Sequence, residues 1–424
     1  MHRFLRYVII IFMKILFITD LYPISADESH TPRTLHNFVF EWIRQGQQVD
    51  VIRPNFIFNS ILRGKKNYFD GFYEYEGVKI FNVNYFTPFW FDFLKKIPKE
   101  FDLTSYDVIV AHMPSGIIFA NKLAKIIKTP LVCGVHISDI EVLSNPIYKL
   151  YFKKQLEEAY RNAKKIACRS FVLEKKFKKL MPELAEKTFV APSGVKFPKV
   201  FSPLISHFSP IKVLTCANLI KRKNIDKLIL AMRDLEGFEL TIIGDGKELK
   251  NLKMLSRSGM RISARAMRRK LALTRETTHS RVADNPRQLA RQHDVEEVGC
   301  GFNSTDIKFL GRLPHEKVLE QMQTADIFIL PSINETFGMV YLEAMSSGCV
   351  TVCTKNDGID GIIKDGENGF VCEATSENIK ETLLKIKNFE NIEKIVENSL
   401  ETVKEYSQEL CAKNYLEQIE FCLH

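Results

Sequence analysis

Nowhere in this chain do two cysteines stand at CxxC spacing, and no His/Cys cluster has the pattern of a metal site. Nine cysteines, at 133, 168, 216, 300, 349, 353, 372, 411 and 422, are odd in number and scattered, which argues against a disulfide framework. Reduced thiols in a cytosolic enzyme are the simple reading. The chain also lacks an apolar run of the ~20 residues that a membrane-spanning helix needs. Its nearest approach is Phe4 to Phe12, followed at once by Met13-Lys14-Ile15, with no small-residue cleavage site after it. We therefore expect neither a signal peptide nor an anchor: Met13 reads as the true start, and residues 1–12 as an upstream extension.

What is present is the balance of a soluble globular protein, 45% hydrophobic and 26% charged. A length of 424 residues predicts two domains. The net charge of +9 suits nucleic acid, anionic lipid or a phosphorylated substrate without choosing among them.

Short β-rich apolar runs at Lys14–Thr19, Gln48–Arg53, Val78–Val83, Val108–His112 and Leu131–Val135 alternate with segments of helical period such as Leu35–Gln45 and Ile117–Ile127. Strands without polar alternation predict an α/β fold with a parallel sheet covered on both faces. The Ser- and Pro-containing stretch Phe201–Pro210 reads as a linker, after which the rhythm restarts with strands at Ile211–Thr215, Glu239–Ile243, Ile307–Leu310, Ile327–Leu330 and Val350–Cys353. Two such Rossmann-like domains in series leave a cleft where the carboxyl ends of both sets of strands face one ligand.

One segment departs from this rhythm. Between Ser256 and Thr305 there are nine arginines and one lysine, against eleven arginines and thirty-nine lysines elsewhere, so the basic-residue preference reverses there and recovers. It reads as a surface insert at about 257–304, since closure entropy grows only slowly with loop length. An arginine-rich nucleic-acid arm is the sharper alternative, but Phe302 is the only aromatic residue available to stack on bases. No nucleic-acid partner is expected.

The strongest constellation is Ile329-Leu330-Pro331-Ser332-Ile333-Asn334-Glu335-Thr336-Phe337-Gly338-Met339-Val340-Tyr341-Leu342-Glu343, a buried strand, a short loop and a helix. A helix beginning near Phe337 or Gly338 points free amides and the positive end of its dipole into the cleft, which suits a diphosphate. Gly338 lets a ligand approach the backbone. At a rise of ~1.5 Å per residue, Glu335 and Glu343 stand ~8 Å or more apart and can straddle that diphosphate. For either acid alone, a place on the solvated surface is the plainer reading.

With seven residues between Glu335 and Glu343, in a Ser-x-x-Glu-x-Phe-Gly context, the segment resembles the E-x7-E signature of retaining glycosyltransferases of family 4, which have the GT-B fold. Flanking segments agree in order. Ala191-Pro192-Ser193-Gly194-Val195 resembles the family's interdomain turn. Gly244-Asp245-Gly246 and Phe309-Leu310-Gly311-Arg312-Leu313 resemble the loops of its base pocket, and the helix after Tyr406-Ser407 resembles its last helix, which crosses back to the first domain. The resemblance implies an acceptor domain over 13–205, a donor domain over 206–405 and a crossing helix over 406–424.

It also implies residue roles. Glu343 would bind the nucleotide ribose, Glu335 the donor-sugar hydroxyls, and the amides of Phe337, Gly338, Met339 and Val340 the sugar and phosphate oxygens. Gly244 and Arg312 would line the base pocket. Lys223 falls at the family's phosphate-binding lysine, but its usual arginine partner is replaced by Asn218, a neutral donor where charge gathers on a leaving diphosphate. Lys221 or Arg222 is then expected to supply the missing charge, unless Lys221–Lys223 is a solvated helix start. Val135-His136-Ile137-Ser138-Asp139 resembles the family's His-Gly-x-Asp, which would set His136 across the cleft from the donor sugar; a histidine at a strand end is otherwise structural. Tyr22-Pro23-Ile24-Ser25 and Ser29-His30-Thr31-Pro32-Arg33 depart from the family's acceptor loop.

The expected activity is a retaining transfer from a nucleoside-diphosphate sugar to a saccharide or lipid-linked hydroxyl acceptor, in surface polysaccharide or glycolipid synthesis. Catalytic residues would be Glu335, Lys223 and His136, with no cofactor and, in the absence of Asp-x-Asp, no essential metal. A nucleotide-sugar epimerase on the same fold and an inactive donor-binding relative stay open. Paired lysines between Lys149 and Lys187, interleaved with Tyr151, Phe152, Phe171 and Phe177, leave room for peripheral contact of a cytoplasmic protein with the inner membrane face, a solvated helix face being the alternative.

Overall fold

The computed structural model of the protein describes residues 12–24, 33–56, 71–85, 97–98, 101–145, 152–197, 210–233, 235–257 and 306–423. Two parallel sheets organise them. The first contains β1 (Lys14–Thr19), β2 (Gln48–Phe56), β3 (Gly71–Tyr75), β4 (Val78–Tyr85), β5 (Val108–His112), β6 (Leu131–Val135), β7 (Lys165–Cys168) and β8 (Thr188–Val190), in the order β3-β4-β2-β1-β5-β6-β7-β8. The second contains β9 (Ile211–Cys216), β10 (Phe238–Ile243), β11 (Asp306–Gly311), β12 (Ile327–Ile329), β13 (Val350–Thr354) and β14 (Phe370–Cys372), in the order β11-β10-β9-β12-β13-β14.

Both sheets carry the doubly wound strand order of dinucleotide-binding folds, and the first adds β3 and β8 at its edges. In such a sheet the ligand crevice opens where the order reverses, here beyond the carboxyl ends of β1 and β5 and of β9 and β12. Strands β5 and β6 are buried along their whole length, as a sheet covered on both faces requires. The antiparallel β3–β4 hairpin closes through Glu76 and Gly77, both at positive φ (48° and 78°), the geometry of a two-residue turn. Strand β3 and the short strands β7, β8 and β14 are additions to the strands expected from the sequence.

Among the described residues the α-helices include α1 (Thr34–Arg44), α2 (Pro114–Ile127), α3 (Ile137–Ser144), α4 (Phe152–Asn162), α5 (Phe171–Leu180), α6 (Ile225–Met232), α7 (His315–Gln323), α8 (Met339–Ser346), α9 (Ser376–Lys387), α10 (Ile392–Lys404) and α11 (Gln408–Glu420). Helix α1 buries Leu35, Phe38, Val39 and Trp42, one stripe at helical spacing. That stripe receives α11, as expected of a helix crossing back. The Trp42 indole N–H donates to the Ala412 carbonyl at 2.9 Å, and Tyr415 packs edge-on against Phe38 and Trp42. Before α11 the chain passes the 192–195 turn, where Val195 N–H donates to the Tyr406 carbonyl at 2.9 Å. Gly194 is obligatory there, since a Cβ would stand 2.3 Å from the Ser407 oxygen.

The linker at 201–209 and nearly all of the 257–304 segment lie outside the described residues, as do residues 1–11. On the flanks of that segment, residues 249–257 are helical and β11 begins at Asp306. Among the described residues no helix is long and apolar enough to cross a membrane. The lysine-rich stretch forms α4 and α5, and part of it is committed inward: Phe177 is buried against Tyr160, while Lys153 and Lys178 pair with Glu157 and Glu174 on their own helices.

Candidate functional site

At the switch point of the second sheet, the loop after β9 lies against the loop after β12. Ile333 N–H donates to the Arg222 carbonyl at 2.8 Å, and the Asn224 side-chain amide donates to the Pro331 carbonyl at 2.9 Å. Asn224 and Asn334 hold the left-handed conformation (φ 50° and 58°) that lets each loop turn sharply, a conformation asparagine tolerates better than most residues. This clasp brings the Lys223 ammonium onto Glu335 Oε2, with the Ser332 hydroxyl donating to the same oxygen at 3.1 Å and Arg222 Nη1 at 3.4 Å.

Lys223 is 8% exposed, so the pair is largely desolvated. Burial pushes the Glu335 carboxyl up, but the Lys223 charge and hydrogen bond, with Arg222 and Ser332, outweigh it and hold the group below the usual carboxylate range. The predicted cation therefore meets the predicted carboxylate directly. Arg222 brings a second positive charge to Glu335. Asn218 stands exposed on the β9 loop, its Oδ1 beside Gly246.

Helix α8 begins one residue later than the latest start expected, at Met339, with Gly338 as its N-cap at φ 89°. A Cβ on Gly338 would lie 2.6 Å from the Tyr341 ring, and that ring is fixed by its hydroxyl donating to the Leu330 carbonyl at 2.6 Å. Only glycine fits. The first-turn amides of α8, those of Met339 and Val340, have no acceptor within the helix, and Phe337 is buried just before it.

Glu343 lies one turn inside α8 and receives His315 Nε2 at 3.0 Å from the start of α7. The hydrogen bond to Glu343 raises the His315 pKa, partly opposed by desolvation. Gly244 (φ 134°) and Gly246 (φ 154°) press the β10 loop onto the β9 loop, where side chains would meet the Ala217 and Leu219 carbonyls at 1.9 and 2.4 Å. Gly244 N–H donates to the Gly311 carbonyl at 2.7 Å, and Arg312 follows, exposed, at the end of β11.

Across the cleft, His136 caps α3 and its backbone N–H donates to Asp139 Oδ2 at 2.9 Å. Its ring is buried: Nε2 is hydrogen-bonded to His112 Nδ1 at 2.9 Å, and His112 Nε2 to the Tyr415 hydroxyl at 3.2 Å. Burial, then the nearby Arg169 charge, lowers the His136 pKa to about 3, so the ring is neutral. Gly134 makes room for this arrangement, since a Cβ there would lie 2.0 Å from His112 Nδ1. The neighbouring backbone, not the His136 ring, reaches the other lobe, Ile137 N–H donating to Thr336 Oγ1 at 3.4 Å.

Sequence reading did not single out His112, His315 or Asp357, which accepts the Glu335 amide. Each is bound to a predicted residue through the fold, and no motif marks it. On the acceptor side Tyr22 is buried, its hydroxyl 2.9 Å from His36 Nδ1, while residues 25–32 lie outside the described part.

Comparison with known proteins agrees on both halves of the chain. Residues 31–197 match the family model described as Glycosyltransferase Family 4, and residues 301–409 the one described as Glycosyl transferases group 1. An uncharacterized glycosyltransferase of Methanocaldococcus jannaschii is 27% identical over 350 residues, covering 80% of this chain and 83% of that protein. A probable sucrose-phosphate synthase of Thermosipho melanesiensis is 25% identical over 370 residues, 81% and 77% of the two chains. The crystal structure of Anabaena HepE in complex with UDP and glucose superposes with a TM-score of 0.65 over 96% of this chain and 100% of that one, at 18% identity.

Proposed function

We propose that this chain, which is a glycosyltransferase of the family 4 type with the GT-B fold, moves a glycosyl unit from a nucleoside-diphosphate sugar to a hydroxyl acceptor with retention at the anomeric carbon. The observation that carries this reading is the desolvated Lys223–Glu335 pair beside the amino end of α8, with Glu343 one turn further along. The diphosphate would lie at the amides of Phe337 to Val340, which lead into and open α8, where the helix dipole favours negative charge. Lys223 and Arg222 would counter the charge that grows as the bond from the anomeric carbon to the phosphate oxygen breaks.

Glu335 would exchange its contact with Lys223 for hydroxyls of the bound sugar, releasing the ammonium toward phosphate. Glu343 would exchange His315 for the ribose hydroxyls. Gly244 and Arg312 would border the base, Asn218 would add a neutral hydrogen bond, and the 136–137 corner of the first lobe would close over the sugar. His136 then acts through its place in that corner, since its Nε2 is already taken. The charge on the leaving diphosphate would be met by Lys223, Arg222 and the helix, with no step given to a metal ion. A saccharide or lipid-linked acceptor, in surface polysaccharide or glycolipid synthesis at the cytoplasmic face of the membrane, fits a site open between two lobes.

Titration with UDP, GDP and ADP identifies the nucleotide, and Glu343→Ala should then weaken its binding by about 10- to 100-fold, the worth of hydrogen bonds to a charged acceptor. Unchanged affinity would contradict the ribose role. The anomeric configuration of the product, read by NMR coupling constants, tests retention.

A further inference from the structure

Asp357 lies in the loop after β13, on no motif, yet both its carboxylate oxygens accept the Glu335 backbone N–H, at 3.1 and 3.0 Å. The adjoining backbone is packed against the Glu335 loop: a Cβ on Gly358 (φ 49°) would stand 2.9 Å from the Phe337 carbonyl oxygen and 3.1 Å from Glu335 Cβ. Two carboxylates thus sit close together in a desolvated place, an arrangement that is costly unless each has its own cation. Glu335 has Lys223 of its own lobe. For Asp357, whose side chain is 7% exposed, the cation is Lys176 on α5 of the first lobe, 3.7 Å away. The same helix touches this loop again, Phe171 lying 3.7 Å from where a Gly361 Cβ would be. Ile137 N–H reaches Thr336 Oγ1 at 3.4 Å, so the first lobe touches both the Glu335 loop and the Asp357 loop that holds its amide.

We propose that Asp357 is a positioning residue for Glu335 and that Lys176, by neutralising Asp357 only when the lobes meet, couples closure of the cleft to the geometry of the donor-sugar loop. The coupling to turnover rests on the donor role given to Glu335 above; the hold of Asp357 on the loop does not. In an open cleft Asp357 keeps the Glu335 amide but faces Glu335 without a cation, so the charge balance of the loop improves as the lobes close. Closure would then assemble the site as well as cover it.

Hydrogen exchange on the ligand-free full chain, read by mass spectrometry on peptides spanning Glu335, separates the two roles. Asp357→Ala should speed exchange of that amide by about tenfold or more, the loss of one buried hydrogen bond. Asp357→Asn, which keeps an oxygen acceptor, should rescue the protection, and Lys176→Met should leave it unchanged.

In turnover, measured as nucleoside diphosphate released from the nucleotide sugar that the wild type accepts, Lys176→Met and Asp357→Asn should each lower kcat by about 5- to 10-fold, the double variant being no worse than either. The affinity for UDP, used as a probe, should stay as in the wild type. Unchanged exchange in Asp357→Ala, or kcat losses that multiply in the double variant, would overturn the proposal. A wild type that releases no nucleoside diphosphate would sink the transfer reading instead, and the exchange result would still decide whether Asp357 holds the loop.

Discussion

At the carboxyl end of β12 the second lobe gathers charge, whereas at the carboxyl end of β6 the first lobe gathers neutral rings. Glu335, Lys223, Arg222 and Asp357 meet through three loops of one lobe, those after β9, β12 and β13, and Lys176 reaches Asp357 from the other. His136, His112 and Tyr415 meet through three separated segments, one of them the returning helix α11, and burial keeps both rings uncharged. Both walls are polar and both are largely buried, so burial alone does not distinguish them. What differs is whether opposite charges are present to offset desolvation. On the proposed function the second lobe would hold the charged donor, while the first lobe supplies a wall braced by the crossing helix.

The largest expected effect tests that division of labour. Lys223→Met should lower kcat by about 10²- to 10³-fold, the loss of a fixed charge at a developing anion. His136→Asn removes a ring that is already bonded to His112, and should lower kcat by no more than about tenfold. Steady-state rates of nucleoside diphosphate release compare the two. Equal losses would place a reacting group on the first wall after all and break the contrast.

The contrast also follows what the sequence made legible. Strands β1, β5, β6, β9 and β12 announce themselves as unbroken apolar runs, and with them the two switch points. Glu335, Gly338 and Lys223 are legible because the chain carries them on the very loops that such switch points expose, and Glu343 because it lies one turn into the helix that follows. Their partners are not. His112 lies 24 residues from His136, His315 lies 28 from Glu343, and Asp357 lies 22 from Glu335, so no local period relates them. The β3–β4 hairpin escaped notice because its turn is Glu76-Gly77 rather than the Asn-Gly or Asp-Gly that marks such turns. Strands β7, β8 and β14, of four, three and three residues, are too short for a pattern of apolar residues to separate them from loop.

A second test compares carboxyls. Burial pushes Asp139 up to about 7, Asp20 adding to the effect, against hydrogen bonds from the His136 backbone and Tyr160. Because its folded pKa lies above the ordinary ~3.9, its contribution to stability is fully present below that value and is lost as pH rises through about 7. Asparagine cannot ionise and still offers an oxygen to the His136 amide. Asp139→Asn should therefore be more stable than the wild type at pH 8, by on the order of 2–3 kcal/mol more than at pH 5.

Glu335 has the opposite sign. Its depressed pKa makes its contribution fully present above about 4.3 and lost as pH falls. Glu335→Gln should then be less stable than the wild type through this whole range. Urea unfolding at the two pH values checks both, and a shared sign would mean that the two walls handle their acids alike.

The smallest expected effect asks what holds the charged loop in shape. Gly338 and Gly366 both have positive φ, 89° and 74°, so alanine is strained at either. Nothing lies within 4 Å of a Cβ built on Gly366, whereas one on Gly338 runs into the Tyr341 ring. That ring cannot swing away without losing its hydrogen bond to Leu330 and its edge contact with Phe328, whose ring centre is 5.9 Å away. Gly366→Ala should therefore cost about 1 kcal/mol, the backbone term alone. Gly338→Ala should cost about 2 kcal/mol, because crowding against a fixed ring adds to the same strain. If the two variants unfold at the same urea concentration, the Tyr341 ring does not brace the α8 amino end. The alignment of its amides with Lys223 and Glu335 would then rest on the Asn224 and Asp357 hydrogen bonds alone.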